Sequence, residues 1–201
     1  MSTEQLPALR GRRVLLRQPV PADVLARMEI PRDPEEHLMY GGAGTARWFS
    51  REEASAIIEQ YRCQHVQHER RFVLAALRWP DGRAVESPDG RHIGTIRLHQ
   101  IVEQDRRARL AIGIFDRRFW SLGYGSEAIH LLLRFAFHDL HLHRIDLRVL
   151  AYNTRAIRAY EKCGFVREGV ERESAYVNGA WHDDIMMSVL EHEFTGGPAD
   201  A

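Results

Sequence analysis

The sequence predicts an α+β fold, one domain built on a mixed sheet with helices against it. Three observations carry that expectation. Strand-like runs at Arg71–Trp79, His92–Ile101 and Arg107–Phe115 follow one another with only turns between them, the pattern of antiparallel neighbours. A unit of strand, glycine loop, helix and strand comes next, and such a crossover implies a parallel pair. Two further runs then flank Asn178-Gly179, the strongest short hairpin signal. The chain of 201 residues fits one large domain or two small ones. No internal repeat, low-complexity tract or linker divides it, so one domain is the economical reading.

Arg12–Arg17 reads as a short strand, after which Pro19, Pro21 and Asp23 open a helix to about Ile30. From Pro31 to Phe49 two prolines and three glycines predict a long irregular loop, the kind of segment that faces a substrate. Ser50 with Glu53 spells a capping box, and Ala54, Ile57, Ile58 and Tyr61 keep helical spacing to about His68. The two strands after it are joined by a polar turn, Pro80–Arg91, that holds two Asp-Gly pairs. Beyond Arg107–Phe115 lies Gly123-Tyr124-Gly125, then a helical pattern of Ala128, Leu131, Leu132, Phe135 and Ala136 that ends near His141. His143–Leu150 is a strand in which Ile145, Leu147 and Val149 alternate with Asp146 and Arg148. A helix from Asn153 to Cys163 stops at Gly164. Val166–Val177 and Ala180–Leu190 close the fold, and the tail past Phe194 is expected to fray.

Lys plus Arg equal Asp plus Glu at 28 each, so net charge calls for neither nucleic acid nor a membrane surface. Cys63 and Cys163 show no metal-type spacing, which suits a reducing compartment, with the cytoplasm as default. The N-terminus has no apolar signal region and no stretch reaches the roughly 18 apolar residues of a membrane span. His138, His141 and His143 cross a helix end and do not converge on one metal ion.

Glycines directly before a helix let a ligand approach the backbone, and the free amides of the first turn suit an anion such as a pyrophosphate. A tight turn into a helix explains the same residues. A Walker loop would need Gly-Lys-Ser/Thr, which is absent. A Rossmann fingerprint would need a glycine where Ala128 stands, and Asp146 lies within its strand instead of at its end.

Strand Ala108–Phe115, the run from Trp120 through Gly123, Gly125 and Glu127 to Ala128, Asn153, and Tyr160-Glu-Lys-Cys-Gly164-Phe165 together resemble the GNAT acyltransferase superfamily. Asn178-Gly179 followed by Asp183-Asp184 is similar to its RimJ/RimL-type branch. The likeness covers about Arg12 to Phe194 and is dense from Ala108 onward. It implies a mostly antiparallel mixed sheet splayed between two parallel strands, with acetyl-CoA inserted in the V. The pantetheine arm would pair with main chain at Ile112, Gly113 and Ile114, and the pyrophosphate would lie on the amides of Leu122, Gly123, Tyr124, Gly125 and Ser126. Trp120 departs from the family's Gln or Arg, a small loss where main chain binds.

Acyl transfer to an amine needs a neutral nucleophile, donors for the oxyanion and a proton for the departing thiolate. The resemblance makes Tyr160 the acid, although a tyrosine packed on the helix face reads equally from the residues. Asn153 is an N-cap by its position, and the resemblance adds a cofactor contact. Arg155 and Arg158 are placed for cofactor phosphates or for solvent. Glu103, Glu171, Glu173 and Asp183 compete for the role of base, with Glu173 favoured. Tyr40, Trp48 and Trp181 are candidates for an acceptor pocket, with core packing an equal explanation of Trp181. The ribosomal-protein subgroup's serine and glutamate fall at Ala156 and Ala175, so the resemblance leans toward a small-molecule amine instead of a peptide N-terminus. A catalytically silent acyl-CoA-binding module stays open, and relatives often pair as homodimers.

Overall fold

The computed structural model describes residues 6–31, 33–39, 50, 52–53, 55–56, 58 and 69–196. Its strands are β1 (Leu9–Arg10), β2 (Val14–Arg17), β3 (Glu69–Ala76), β4 (Arg91–Val102), β5 (Arg107–Ile114), β6 (Arg144–Leu150), β7 (Val166–Val177) and β8 (Ala180–Leu190). They form one sheet in the order β1-β2-β3-β4-β5-β6-β8-β7. Only β5 and β6 run parallel; every other pair is antiparallel. The predicted α+β architecture, a mixed sheet with helices, is therefore the one observed.

Helices among the described residues include α1 (Pro21–Glu29), α2 (Pro34–Met39), α3 (Tyr124–Arg134) and α4 (Thr154–Lys162), and Glu52, Glu53, Ser55, Ala56 and Ile58 are helical as well. Alternation divides the sheet into two unlike faces. Leu16, Phe72, Leu74, Ile96, Leu98, Leu110, Ile145, Leu147, Met187 and Val189 are buried in one core, where α3 contributes Ala128, Ile129, Leu132 and Leu133. The opposite face carries Arg17, Glu69, Arg71, Arg97, His99, Arg109, Asp146 and Arg148, by the register of the strand pairs. It buries only a small apolar group, Leu15, Val73 and Ala75.

Two elements differ from expectation. The strand read as Arg71–Trp79 ends at Ala76, because Leu77 donates its amide to Arg13 O at 2.7 Å and Trp79 donates to Arg83 O at 2.8 Å inside the following turn. The segment read as an irregular loop contains α2. Pro34, taken as loop punctuation, occupies the first helical turn, where a missing N–H is tolerated. Asp33 Oδ1 accepts the Glu35 amide at 2.9 Å and acts as its cap. Residues 40–49, with Tyr40 and Trp48, lie outside the described residues. The capping box at Ser50 is formed, with Ser50 N–H to Glu53 Oε2 at 2.8 Å and Glu53 N–H to Ser50 Oγ at 3.1 Å.

α3 passes at Phe135–Asp139 into a wider turn that buries Phe135, Ala136 and Phe137. On the sheet, β5 and β6 are paired only at Arg107–Arg144, Ala108–Ile145 and Arg109–Asp146. Beyond those three pairs the strands part. β5 meanwhile stays tight on β4, where a Cβ at Gly94 would overlap the carbonyl of Gly113. The opening therefore falls between β5 and β6 and not between β4 and β5.

Candidate active site

A cleft of about 1020 Å³ occupies that opening, with β5 and the start of α3 on one side and β6 and α4 on the other. α3 begins at Gly123, whose φ of 85° is left-handed, and has no side-chain cap. Glu127 N–H reaches Gly123 O at 3.0 Å, and helix geometry leaves the amides of Tyr124, Gly125 and Ser126 without a helical acceptor. Glu127, an acid in the first turn, could have served this end. It is instead held by Arg13, whose Nε and backbone N donate to its carboxylate at 2.8 and 2.7 Å. Arg13 Nη1 also donates to Leu122 O at 2.8 Å, which fixes the loop from its outer side.

Trp120 donates Nε1–H to Ile114 O at 2.8 Å, tying the loop to the last residue of β5. Arg155 lies over its indole at 3.7 Å. Tyr124 is buried, with its hydroxyl on Arg78 O at 2.9 Å, so only its amide is available to a ligand. Of the residues expected to hold a cofactor, Ile112, Ile114, Gly123, Gly125, Ser126, Asn153 and Arg158 line the cleft. Gly113, Leu122 and Tyr124 are not among the residues that line it.

Tyr160 on α4 lines the cleft at 8% exposure. It stands edge-on to Phe165 at 5.8 Å, so the packing reading is true of its ring. Burial, with Cys163 adding to it, pushes the phenol well above its ordinary value and keeps it protonated. Cys163 is itself pushed up to about 11 by burial, and its Sγ lies 3.7 Å from Ser126 O, joining α4 to the start of α3. Asn153 caps α4, with Oδ1 accepting Ala156 N–H at 3.1 Å, while its Nδ2 donates to Met39 O at 3.4 Å. Both ends of that side chain are committed to protein.

Glu173 is not brought to the cleft. β7 carries extra residues between Glu171 and Ala175 relative to β8, and Glu173 sits exposed in that bulge at φ 51°. Its amide donates to Asp183 Oδ1 at 2.8 Å, which occupies a second candidate, and Glu171 accepts from Arg148 Nη1 at 3.0 Å. Trp181 is 60% exposed beside Tyr176; it belongs neither to the core nor to the cleft.

The carboxylate that does line the cleft was missed from sequence. Asp184 is 6% exposed and accepts Ser174 Oγ–H at 3.0 Å, with Arg148 Nε at 3.9 Å. Arg97, His99, Arg109 and Arg148 also line it. Burial, and then the charge of Arg97, holds His99 below its ordinary value. Counting alternate positions along β8 from the Asn178-Gly179 turn would have set Asp184 apart from core-facing Met187 and Val189.

Residues 13–166 match the family described as Acetyltransferase (GNAT) domain. The chain belongs to this family. The GNAT chain is 30% identical over 186 residues to the uncharacterised N-acetyltransferase YoaA of Bacillus subtilis, covering 92% of this chain and 97% of that one. It is 32% identical over 130 residues to a spermidine N(1)-acetyltransferase of Vibrio cholerae, covering 65% and 68%. Three Bacillus proteins named as N-acetyltransferases match at 32 to 35% identity, but the chain spans only 56 to 58% of their length. The fold is that of the solved spermidine N-acetyltransferase from Vibrio cholerae in complex with CoA and spermine, with a TM-score of 0.70 at 24% identity over 91% of this chain and 98% of that one.

Proposed function

We propose that this GNAT chain is an acetyl-CoA-dependent N-acetyltransferase of the RimJ/RimL-type branch, acting on a primary amine of a small molecule by direct attack in a ternary complex. The observation that carries the reading is the uncapped start of α3, where Gly123, Gly125 and Ser126 border a cleft made by two parting parallel strands. Acetyl-CoA, when bound, supplies the thioester. A diphosphate suits this helix end, because donors and the helix dipole favour an anion there and no side chain competes for them. Main chain at Ile112–Ile114 borders the route of the pantetheine arm, and Arg158 stands at the phosphate end. Asn153 serves there by capping α4, since its side chain, its amide (to Leu150 O) and its carbonyl (from Ile157 N–H) are all bonded within the protein.

Tyr160 delivers a proton to the departing sulfur, which its protonated state permits across the whole neutral range. Asp184 is the carboxylate that orients the acceptor ammonium and takes its proton, a role in which it replaces Glu173. Relatives named for spermidine make an amine a natural acceptor. Ala156 and Ala175 both line the cleft, so the serine and glutamate of the ribosomal-protein subgroup have no counterpart there.

Thiol release from acetyl-CoA across a panel of amines and peptide N-termini tests the reading, with three variants alongside. Tyr160→Phe and Asp184→Asn should each lower kcat on the order of 100-fold with unchanged acetyl-CoA affinity, and Glu173→Gln should stay within about twofold of wild type. A protein that binds acetyl-CoA but transfers to no amine or peptide would be the silent binding module.

A further inference from the structure

We infer that the acceptor carries an anionic group next to its amine, and that Arg97, Arg109 and Arg148 hold that group over the small side chain of Ala111. The inference rests on the acetyltransferase reading and deepens it. On β4 and β5, Arg97 stands opposite Ala111 and His99 opposite Arg109. Arg109 stands opposite Asp146 at the last paired position before β5 and β6 part. Side chains two residues apart share a face, so Ala111 follows Arg109 and Arg148 follows Asp146 on the charged face of the sheet. Three arginines thus share the face and the stretch of sheet where Ala111 presents only a methyl group. All four residues line the cleft.

These arginines have donors to spare among the described residues. Arg109 uses Nε on Asp146 at 2.7 Å, and Arg148 uses Nη1 on Glu171 at 3.0 Å. Arg97 comes no closer than 3.6 Å to Glu69, whose carboxylate is taken at 2.6 Å by Arg71. A guanidinium offers five N–H groups in a planar fork that fits a carboxylate or a phosphate.

The cleft's charge agrees. Its described lining includes Arg97, Arg109, Arg148, Arg155, Arg158 and Lys162, against Asp184 as its one carboxylate. Arg155, Arg158 and Lys162 belong to α4, beside the start of α3, and serve the phosphates of the cofactor. The other three lie on the sheet, Arg109 beside Asp146, Arg148 beside Glu171 and Arg97 at 3.6 Å from Glu69, and their further N–H groups remain for the acceptor. A polyamine, cationic along its length, would meet three arginines there and a single acid. An amine with a neighbouring anion matches both, its ammonium at Asp184 and its anion over Ala111.

Matched acceptors provide the test: cadaverine against lysine for a carboxylate, ethanolamine against O-phosphoethanolamine for a phosphate, and spermidine as the polycation. In at least one pair the anionic member should show kcat/KM more than tenfold higher, and whichever pair responds identifies the anion. Arg97→Gln should remove that advantage through KM, Arg97→Lys should restore part of it, and acetyl-CoA affinity should not change in either. Preference for spermidine or for the partner without the anion in both pairs, or an advantage that survives Arg97→Gln, would overturn the inference. Calorimetry of lysine and O-phosphoethanolamine with CoA present reads the same site without turnover. Binding weakened at least tenfold by Arg97→Gln upholds the anion site, and no binding of either ligand overturns it. Binding without acetyl transfer counts against the acetyltransferase reading alone.

Discussion

Tyr160 and Cys163 show how two neighbouring residues tie the site to the stability of the fold. Both are buried acids that the folded chain keeps protonated. Burial takes the Cys163 thiol from an ordinary 9.0 to about 11, so above pH 9 the unfolded chain releases a proton that the folded chain retains. Stability must then fall as pH rises, by at most about 1.4 kcal/mol per pH unit for this group. Urea midpoints at pH 8, 9 and 10 should decline for wild type and decline less for Cys163→Ala; equal slopes would refute the assignment. Residues of this kind were legible because local chemistry defines them. Asn153 as a cap, Gly164 at a φ of 91° after α4 and Tyr160 on the inner side of α4 need only their own few neighbours in sequence. Asp184 and Arg97 were not legible in that way, since their place in the cleft depends on the register of strands far apart in the chain.

Among the elements, the hairpin of β7 and β8 separates what pattern predicts from what it leaves out. Its strand limits and Asn-Gly turn follow directly from the residues. The bulge between Glu171 and Ala175 does not, and it carries Glu173 away from the cleft. α2 was lost for a related reason, because proline marks both a loop and a helix start. α1 shows how an element is fixed by one side chain. Asp23 receives Arg17 Nη1 and Nη2 at 2.8 and 2.7 Å and the Val20 amide at 2.7 Å, while its carbonyl faces His92 Nδ1 at 2.9 Å. Asp23→Ala would leave the largely buried Arg17 without its carboxylate, with only the carbonyls of Gln18 and Asp89 to receive it, at a cost of about 3 kcal/mol. Denaturant unfolding checks this, and a loss below about 1 kcal/mol would show that the pair is only a surface contact.

On the scale of the whole molecule, function follows from a sheet with one apolar and one charged face, opened along the line where β5 and β6 stop pairing. The apolar face seats α3 and α4 so that the start of α3 meets the mouth of the opening. The charged face lines the cleft with Arg97, Arg109 and Arg148. Cys163 Sγ against Ser126 O links the two helices at the cofactor end. We propose that α3 grips the diphosphate of CoA with main-chain N–H groups. Amide resonances followed during a titration with CoA measure that contact directly. The largest shifts should fall on Tyr124, Gly125 and Ser126, and a saturating titration in which these three stay in place while others move would rule that grip out.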